Sequence, residues 1–324
     1  MTAASSIRPL RVEREILGEG RALRRAISLA KRFARTSLCI LLQGATGTGK
    51  ELFAEMIHEE SGRPGRFVPV NCGALPRTMI ESLLFGHRRG AFTGAHESTM
   101  GFIAAADHGT LYLDELGSLP AEDQVKLLRV LESKDVFRVG DTDARRVDVR
   151  VVSSVQERPA TLLASGSLRL DLCERLAGVV ISLPPLRERE DDVYVLANHF
   201  ARRLGKTLRD DADGVLREYG WPGNVRELRA VIERAAALSD GDGIDARVVA
   251  DAIALGAAEV VASRETVFEE RDYLIAVCKA NDWHAGRTAT ALGIARVTLY
   301  RRLKAAGLVL RTEKRVHRFR AAYH

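Results

Sequence analysis

The chain has 324 residues, with 49 Lys plus Arg against 43 Asp plus Glu and a formal charge of +6. Hydrophobic residues at 46% and charged residues at 28% exclude wholesale disorder, and the length suits two or three domains. No apolar run approaches the roughly 18–20 residues of a membrane span, and the amino end, MTAASSIRPLRVERE, has no apolar core for a secretory signal, so a cytoplasmic protein with no membrane insertion is expected.

In chain order, Leu23, Ala26, Ile27, Ala30, Phe33 and Ala34 fall at helical spacing. SLCILLQG then reads as a buried strand entering a glycine-rich turn, and ELFAEMIHEE as the helix after it. Further buried strands are predicted at FVPVNC (67–72), TLYLDE (110–115), VRVVSSV (149–155) and GVVISL (178–183), with a helix at 121–134. Strands alternating with helices predict an α/β fold with a largely parallel sheet covered on both faces. After LPPLRERE (183–190) the strand signal stops, and 191–255 reads as helices broken at Gly205 and by the WPGN turn at 221–224. AAEVVAS (257–263) reads as a linker, and a small all-α unit follows from about Phe268 to Leu308. The expected boundaries are 1–17 for a short amino-terminal segment, 18–185 and 186–255 for an α/β part and its helical lid, 256–266 for a linker, and 267–324 for the last domain with its basic tail. Cys39, Cys72, Cys173 and Cys278 are widely spaced and fit small buried thiols better than a disulfide framework or a zinc site. Charge is divided unevenly: residues 281–324 carry +8 and the first 280 carry −2, which points to nucleic-acid contact at the carboxyl end.

Gly44-Ala45-Thr46-Gly47-Thr48-Gly49-Lys50-Glu51 satisfies GxxxxGK between a strand and a helix. Glycines there turn backbone N–H groups around phosphate oxygens, and Lys50 is placed to pair with the β- and γ-phosphates of ATP. Glu51 stands where many such loops carry a Ser/Thr ligand for Mg²⁺. Asp114 and Glu115 end the strand TLYLDE. Alternation along a strand separates their side chains, giving Asp114 to Mg²⁺ and Glu115 to the attacking water.

GATGTGKE, NCGALP (71–76), LFGHRRGAFTGA (84–95), GTLYLDELGSLP (109–120), LLRVLES (127–133), LPPLRERE and WPGNVREL (221–228) together resemble the AAA+ domain of bacterial enhancer-binding proteins, the activators of sigma-54 RNA polymerase. The resemblance covers about residues 15–255. It implies a P-loop domain with a helical lid that hydrolyses ATP with Mg²⁺. Asn71 resembles the family's switch asparagine, which bonds the catalytic glutamate. Arg169 and Arg175 match the arginine fingers supplied in trans, and Arg226 the lid arginine that reaches the nucleotide. Trans-acting fingers imply a ring, either a homo-hexamer or a hetero-hexamer with a related activator. Gly90, Ala91, Phe92, Thr93, Gly94 and Ala95 match the surface loop that engages sigma-54 RNA polymerase holoenzyme.

Three departures stand out. Ser154-Val155-Gln156 occupies the place of Ala-Thr-Asn. Ala104 stands where GxFExA has an acid, and Leu84 is assigned the place of the acid in SELFG. Hydrolysis is still expected, with lower turnover or a need for a more competent partner subunit. The alternative is a DNA-binding regulator, or partner subunit, with weak or lost ATPase.

RTATALGIARVTLYRRLKAAGL resembles the Fis-type helix-turn-helix of the same family. Thr298, Arg301 and Lys304, flanked by Arg296 and Arg302, are the expected contacts to upstream, enhancer DNA, which implies a nucleoid-associated protein. About 17–20 residues precede the ATPase region, so a receiver or sensing domain is not expected, and control is assigned to expression level, a partner or an inhibitor acting in trans.

Overall fold

The computed structural model describes residues 16–189, 191–256 and 274–308, apart from 276, 280, 282, 293 and 307. The expected linker and basic tail therefore lie largely outside the described residues. The chain divides into two compact units, Met1–Val249 and Ala250–His324.

In the first unit, five strands form a parallel sheet: β1 (Ile40–Gln43), β2 (Phe67–Asn71), β5 (Thr110–Asp114), β8 (Arg150–Val155) and β9 (Val179–Ser182). Their order is β2-β5-β8-β1-β9, with every neighbouring pair parallel. All five coincide with strands expected from the apolar runs. Alternation sends Leu41, Leu111, Leu113, Val151 and Val155 into one core, and Ile40, Leu42, Tyr112 and Val152 into the other. The first core is closed by α3 (Ile80–Phe85), α5 (Ala121–Ser133) and α7 (Leu170–Leu176); the second is closed by α1 (Arg21–Ala34) and α2 (Lys50–Ser61). Both faces are covered, which is why these strands read as nearly continuous apolar runs.

Two small hairpins project from this layer. β3 (Gly86–His87) pairs antiparallel with β4 (Thr99–Met100), and β6 (Asp135–Phe137) with β7 (Ala144–Arg146). They meet where Arg88 N–H donates to Val139 O at 3.0 Å and Val139 N–H to Gly86 O at 2.9 Å. The short helix α4 (Phe102–Ala105) and the six-residue α6 (Pro159–Ala164) complete the layer.

Beyond residue 190 lie α8 (Asp192–Arg203), α9 (Ala212–Glu218), α10 (Asn224–Leu238) and the helix α11 over described residues 246–256. Leu196, Leu216, Trp221, Leu228, Val231 and Ile232 are buried among them. The strand signal was expected to stop at this point, yet β10 (Thr207–Leu208) and β11 (Gly243–Ile244) form a two-residue parallel ladder. Two residues are too few to show a period. In the second unit, α12 (Ala285–Ala291) and α13 (Arg296–Ala305) pack around Leu274, Cys278, Ala289, Leu299 and Leu303. No described helix is long and apolar enough to cross a membrane.

Candidate functional site

The glycine loop 44–49 leaves the end of β1 and opens α2 at Lys50. Gly47 and Gly49 adopt φ of +78° and +97°, which admits them to a turn that side chains rarely tolerate. A Cβ on Gly49 would meet nothing within 4 Å. Lys50 Nζ donates to Gly44 O at 2.9 Å and Ala45 O at 3.1 Å, so the ammonium sits inside the loop. Burial holds that ammonium below the ordinary lysine range; Asp114 and Glu115 oppose the shift, while Arg226 adds to it. One lysine, two carboxylates and the Arg226 guanidinium thus share one field. Thr48 Oγ1 is engaged within the loop with Ala45 O at 2.8 Å, and Glu51 is exposed on the first turn of α2.

The lid clasps this loop from outside. Asn224 Nδ2 donates to Thr46 O at 2.9 Å, Val225 N–H to Gly47 O at 3.0 Å, and Arg189 Nη2 to Thr48 O at 2.8 Å. Asn224 Oδ1 also accepts from Leu186 N–H at 2.8 Å. The lid thus holds the carbonyls of Thr46, Gly47 and Thr48 together. The WPGN turn makes this possible through left-handed backbone at Trp221 (φ 47°) and Asn224 (φ 54°), a strain retained where Trp221 is anchored by Nε1–H to Leu216 O at 2.8 Å. Arg226 lies against the loop, since a Cβ on Gly47 would come 3.1 Å from its Cβ. Sequence reading missed Asn224 and Arg189; their only signal was membership of WPGNVREL and LPPLRERE.

The acid pair departs from the expected geometry. Asp114 ends β5, but Glu115 has φ 54° and ψ 48°, so turn conformation, not strand alternation, separates the two carboxylates. Asp114 Oδ1 accepts from Tyr112 OH at 3.0 Å and from Ser154 Oγ, which fixes the carboxylate at the end of β5. Glu115 Oε1 accepts from Gln156 Nε2 at 2.8 Å. Asn71 is not bonded to Glu115: its Oδ1 accepts from Gly73 N–H at 2.9 Å and Ala74 N–H at 3.0 Å, closing its own turn. Among the described residues no three His, Cys, Asp or Glu side chains gather around a common point. An ion here would be held by Asp114 together with nucleotide oxygens, and the donor set suits a hard cation such as Mg²⁺.

The arginines proposed as fingers lie on α7. Arg169 caps it and is paired with Asp171 at 2.7 Å. Arg175 Nη2 donates to Leu131 O at 3.3 Å, and its charge acts on Cys39, which precedes β1. The glycine loop follows β1, so Arg175 lies toward the other end of the sheet from its own subunit's loop. Cys39 is half-buried, whereas Cys72, Cys173 and Cys278 are buried; burial, with Asp114 and Glu115 nearby, pushes the Cys72 thiol up to about 12.

Between β3 and β4 the hexapeptide folds back on itself, with Gly90 N–H donating to Ala95 O at 2.8 Å. Gly90 and Gly94 have positive φ and open space around them. Phe92 is 43% exposed, its ring 5.0 Å from that of His87, and Thr93 is exposed. Of the six expected contact residues, Ala95 is 6% exposed and packs inward, unlike its exposed neighbours Phe92, Thr93 and Gly94.

In the second unit, Leu299 and Leu303 are buried and Ala306 half-buried, as the expected stripe requires. Val297, missed in the sequence, is 81% exposed on the opposite face beside exposed Arg301 and Tyr300. Thr298 is half-buried, contrary to its expected projection. Arg296 folds over α12: a Cβ on Gly286 would come 2.5 Å from its Nη2. Arg302 is half-buried, and the Lys304 side chain lies outside the described residues.

Comparison with known proteins matches three family models in succession: the sigma-54 interaction domain over residues 16–182, an AAA+ ATPase lid domain over 187–265, and the Fis family of bacterial regulatory proteins over 268–305. The first alone spans more than half the chain. The chain belongs to the sigma-54 interaction domain family. It is 40% identical over 302 residues to the alginate biosynthesis transcriptional regulatory protein AlgB of Pseudomonas aeruginosa, covering 89% of this chain and 66% of that one. The Nif-specific regulatory protein of Klebsiella pneumoniae is 39% identical over 294 residues, covering 86% of this chain and 56% of its own length. The crystal structure of NtrX from Brucella abortus in complex with ATP superposes with a TM-score of 0.67 at 33% identity, over 91% of this chain and 69% of that chain. The chain thus spans about three-fifths of the two curated relatives.

Within this family's pattern the departures take on physical meaning. Val155 is 1% exposed in the sheet core, so a hydroxyl there would face away from the acids, and Ser154 supplies the hydroxyl that meets Asp114. Ala104 is buried in the same core. Leu84 is fully buried, which an acid would not tolerate; aligned on Ser82 and Gly86, the missing acid of SELFG belongs at half-buried Leu83.

Proposed function

We propose that the chain is an ATP-driven activator of sigma-54 RNA polymerase that binds upstream DNA and remodels the closed promoter complex. The observation that carries this reading is the convergence of Lys50, Asp114, Glu115 and Arg226 at a glycine loop whose carbonyls are held by the lid. ATP is held by Gly44–Glu51, with Lys50 and Arg226 on its phosphates. Asp114 would hold Mg²⁺, which would supply charge neutralisation for the phosphates. Glu115 takes a proton from the attacking water as that oxygen bonds to the γ-phosphorus and the bond to ADP breaks. Arg169 and Arg175 act on a neighbour's nucleotide, the role that fits a ring, and so each must leave the local contact it makes within its own subunit.

Hydrolysis is transmitted to the Gly90–Ala95 loop, where Phe92 and Thr93 are the contact residues for sigma-54. In the second unit Arg301 and Val297, with Lys304, meet DNA through the open face of α13. The NtrX structure in complex with ATP supports the nucleotide assignment.

Glu115→Gln tests the enzymatic part. ATP hydrolysis is expected to fall by roughly 100-fold or more with nucleotide binding retained, and transcription to fall with it. Equal transcription from mutant and wild type would overturn the reading in favour of a DNA-binding regulator that needs no hydrolysis.

A further inference from the structure

We infer that Val297 reads the 5-methyl group of a thymine in the major groove of the DNA that the second unit binds. The inference rests on the DNA contact proposed for that unit and deepens it. α13 has two unlike faces. Leu299 and Leu303 are buried in a cluster with Leu274, Cys278 and Ala289. Val297 lies two residues before Leu299, roughly 200° around the helix. It is 81% exposed, more than any other large hydrophobic side chain among the described residues. Arg301, one turn further along the same face, is exposed, and so is Tyr300 beside it. A β-branched side chain is a poorer helix former than alanine, and with most of its surface in water Val297 gains little packing in return.

Position and chemistry together select the group it meets. The second helix of a helix-turn-helix enters the major groove with its N-terminal residues against base edges. Val297 is the second residue of α13. The first, Arg296, folds back over α12, where a Cβ on Gly286 would stand 2.5 Å from its Nη2 and 3.2 Å from its Cζ. Val297 then leads the open face. It carries no donor, acceptor or charge, so neither a phosphate oxygen nor a polar base edge is a partner for it. The one apolar group that base pairs present in the major groove is the thymine methyl. Cytosine has only a hydrogen at the same ring carbon, and its N4 donor would lose water against a valine without gaining an acceptor. Valine is also short, so contact requires the start of α13 to lie close to the base. Arg301, one turn on, has the length to reach a guanine edge or a phosphate from that pose.

The test uses the full chain, with binding sites selected by the wild type from a random duplex pool. Each thymine of the selected sequence is replaced in turn by deoxyuridine, which keeps base pairing and removes only the 5-methyl group. Dissociation constants are measured for wild type, V297A and R301A at one fixed salt concentration. Wild type is expected to bind about fourfold more weakly when one particular thymine loses its methyl, the scale of a single buried methyl group. V297A keeps its helix, since alanine is the better helix former, and is expected to bind the thymine and uracil forms within about twofold of each other. R301A is expected to weaken binding while retaining the wild-type preference for thymine at that position. Indifference of the wild type to uracil at every position overturns the inference, and so does a thymine preference above about twofold in V297A or its loss in R301A. Each of these leaves DNA binding by the second unit intact. Failure of the wild type to select any sequence, with binding no tighter than to the unselected pool, overturns the DNA-binding reading and this inference with it.

Discussion

The chain builds two glycine-bearing loops of similar composition and opposite mechanical design. In the loop 44–49, glycine conformations are locked by the lid: Thr46, Gly47 and Thr48 carbonyls each receive a donor from Asn224, Val225 or Arg189. In the loop 90–95, Gly90 and Gly94 adopt the same left-handed region with nothing near them, and the large side chain Phe92 is turned to solvent. The difference teaches that positive φ alone does not distinguish a loop built to hold a ligand from one built to present a side chain. What decides is the lid packed against Gly47, since Gly49, like Gly90 and Gly94, has open space around it. The first loop is preorganised for charge, and the second is left accessible for contact.

Substitution should separate the two loops most clearly at Gly47. A Cβ there would stand 2.2 Å from Gly223 O, so Gly47→Ala forces lid and loop apart. Nucleotide affinity measured by calorimetry is expected to fall by roughly 100-fold, the consequence of losing several hydrogen bonds of about 1 kcal/mol each. Phe92→Ala should give the reciprocal pattern. Promoter activation is expected to fall about 30-fold, on the scale of a lost interface anchor of about 2 kcal/mol, with ATP hydrolysis within twofold of wild type. A matching loss of hydrolysis would break the comparison.

Asn224→Ala removes three hydrogen bonds, to Thr46 O, to Pro222 O and from Leu186 N–H, without adding bulk. Leaving buried partners unpaired costs roughly 1–3 kcal/mol, so ATP affinity should weaken about tenfold and thermal melting should shift downward. Gly94→Ala is the smallest expected effect. Its Cβ meets nothing, so only left-handed strain of about 1–2 kcal/mol is added, read as a small loss of melting temperature with hydrolysis unchanged.

The five-stranded sheet was legible because burial on both faces writes unbroken apolar runs such as CILL and LYL into the sequence. The glycine loop and the acid pair were legible because their chemistry is local. What escaped was tertiary. Arg189 and Asn224 reach the glycine loop across 141 and 178 residues, and no spacing rule joins them to Thr48 and Thr46. Glu115 was read as the next residue of a strand, but the chain turns there, and its partner proved to be Gln156 and not Asn71. Val297 was overlooked because a single apolar residue on a charged helix face carries no pattern of its own, whereas the stripe of Leu299 and Leu303 does.

The central claim is that nucleotide chemistry at the clasped loop drives work at the open one. Promoter opening, followed by single-strand-specific reactivity of the DNA in a reconstitution of purified chain, sigma-54 polymerase and a cognate promoter, tests it most directly. Opening should require ATP, should fail when Glu115→Gln replaces the wild type, and should fail with Thr93→Ala although that variant still hydrolyses ATP. A promoter that stays closed with the wild-type protein and ATP, or that opens equally well with Glu115→Gln, would contradict the account.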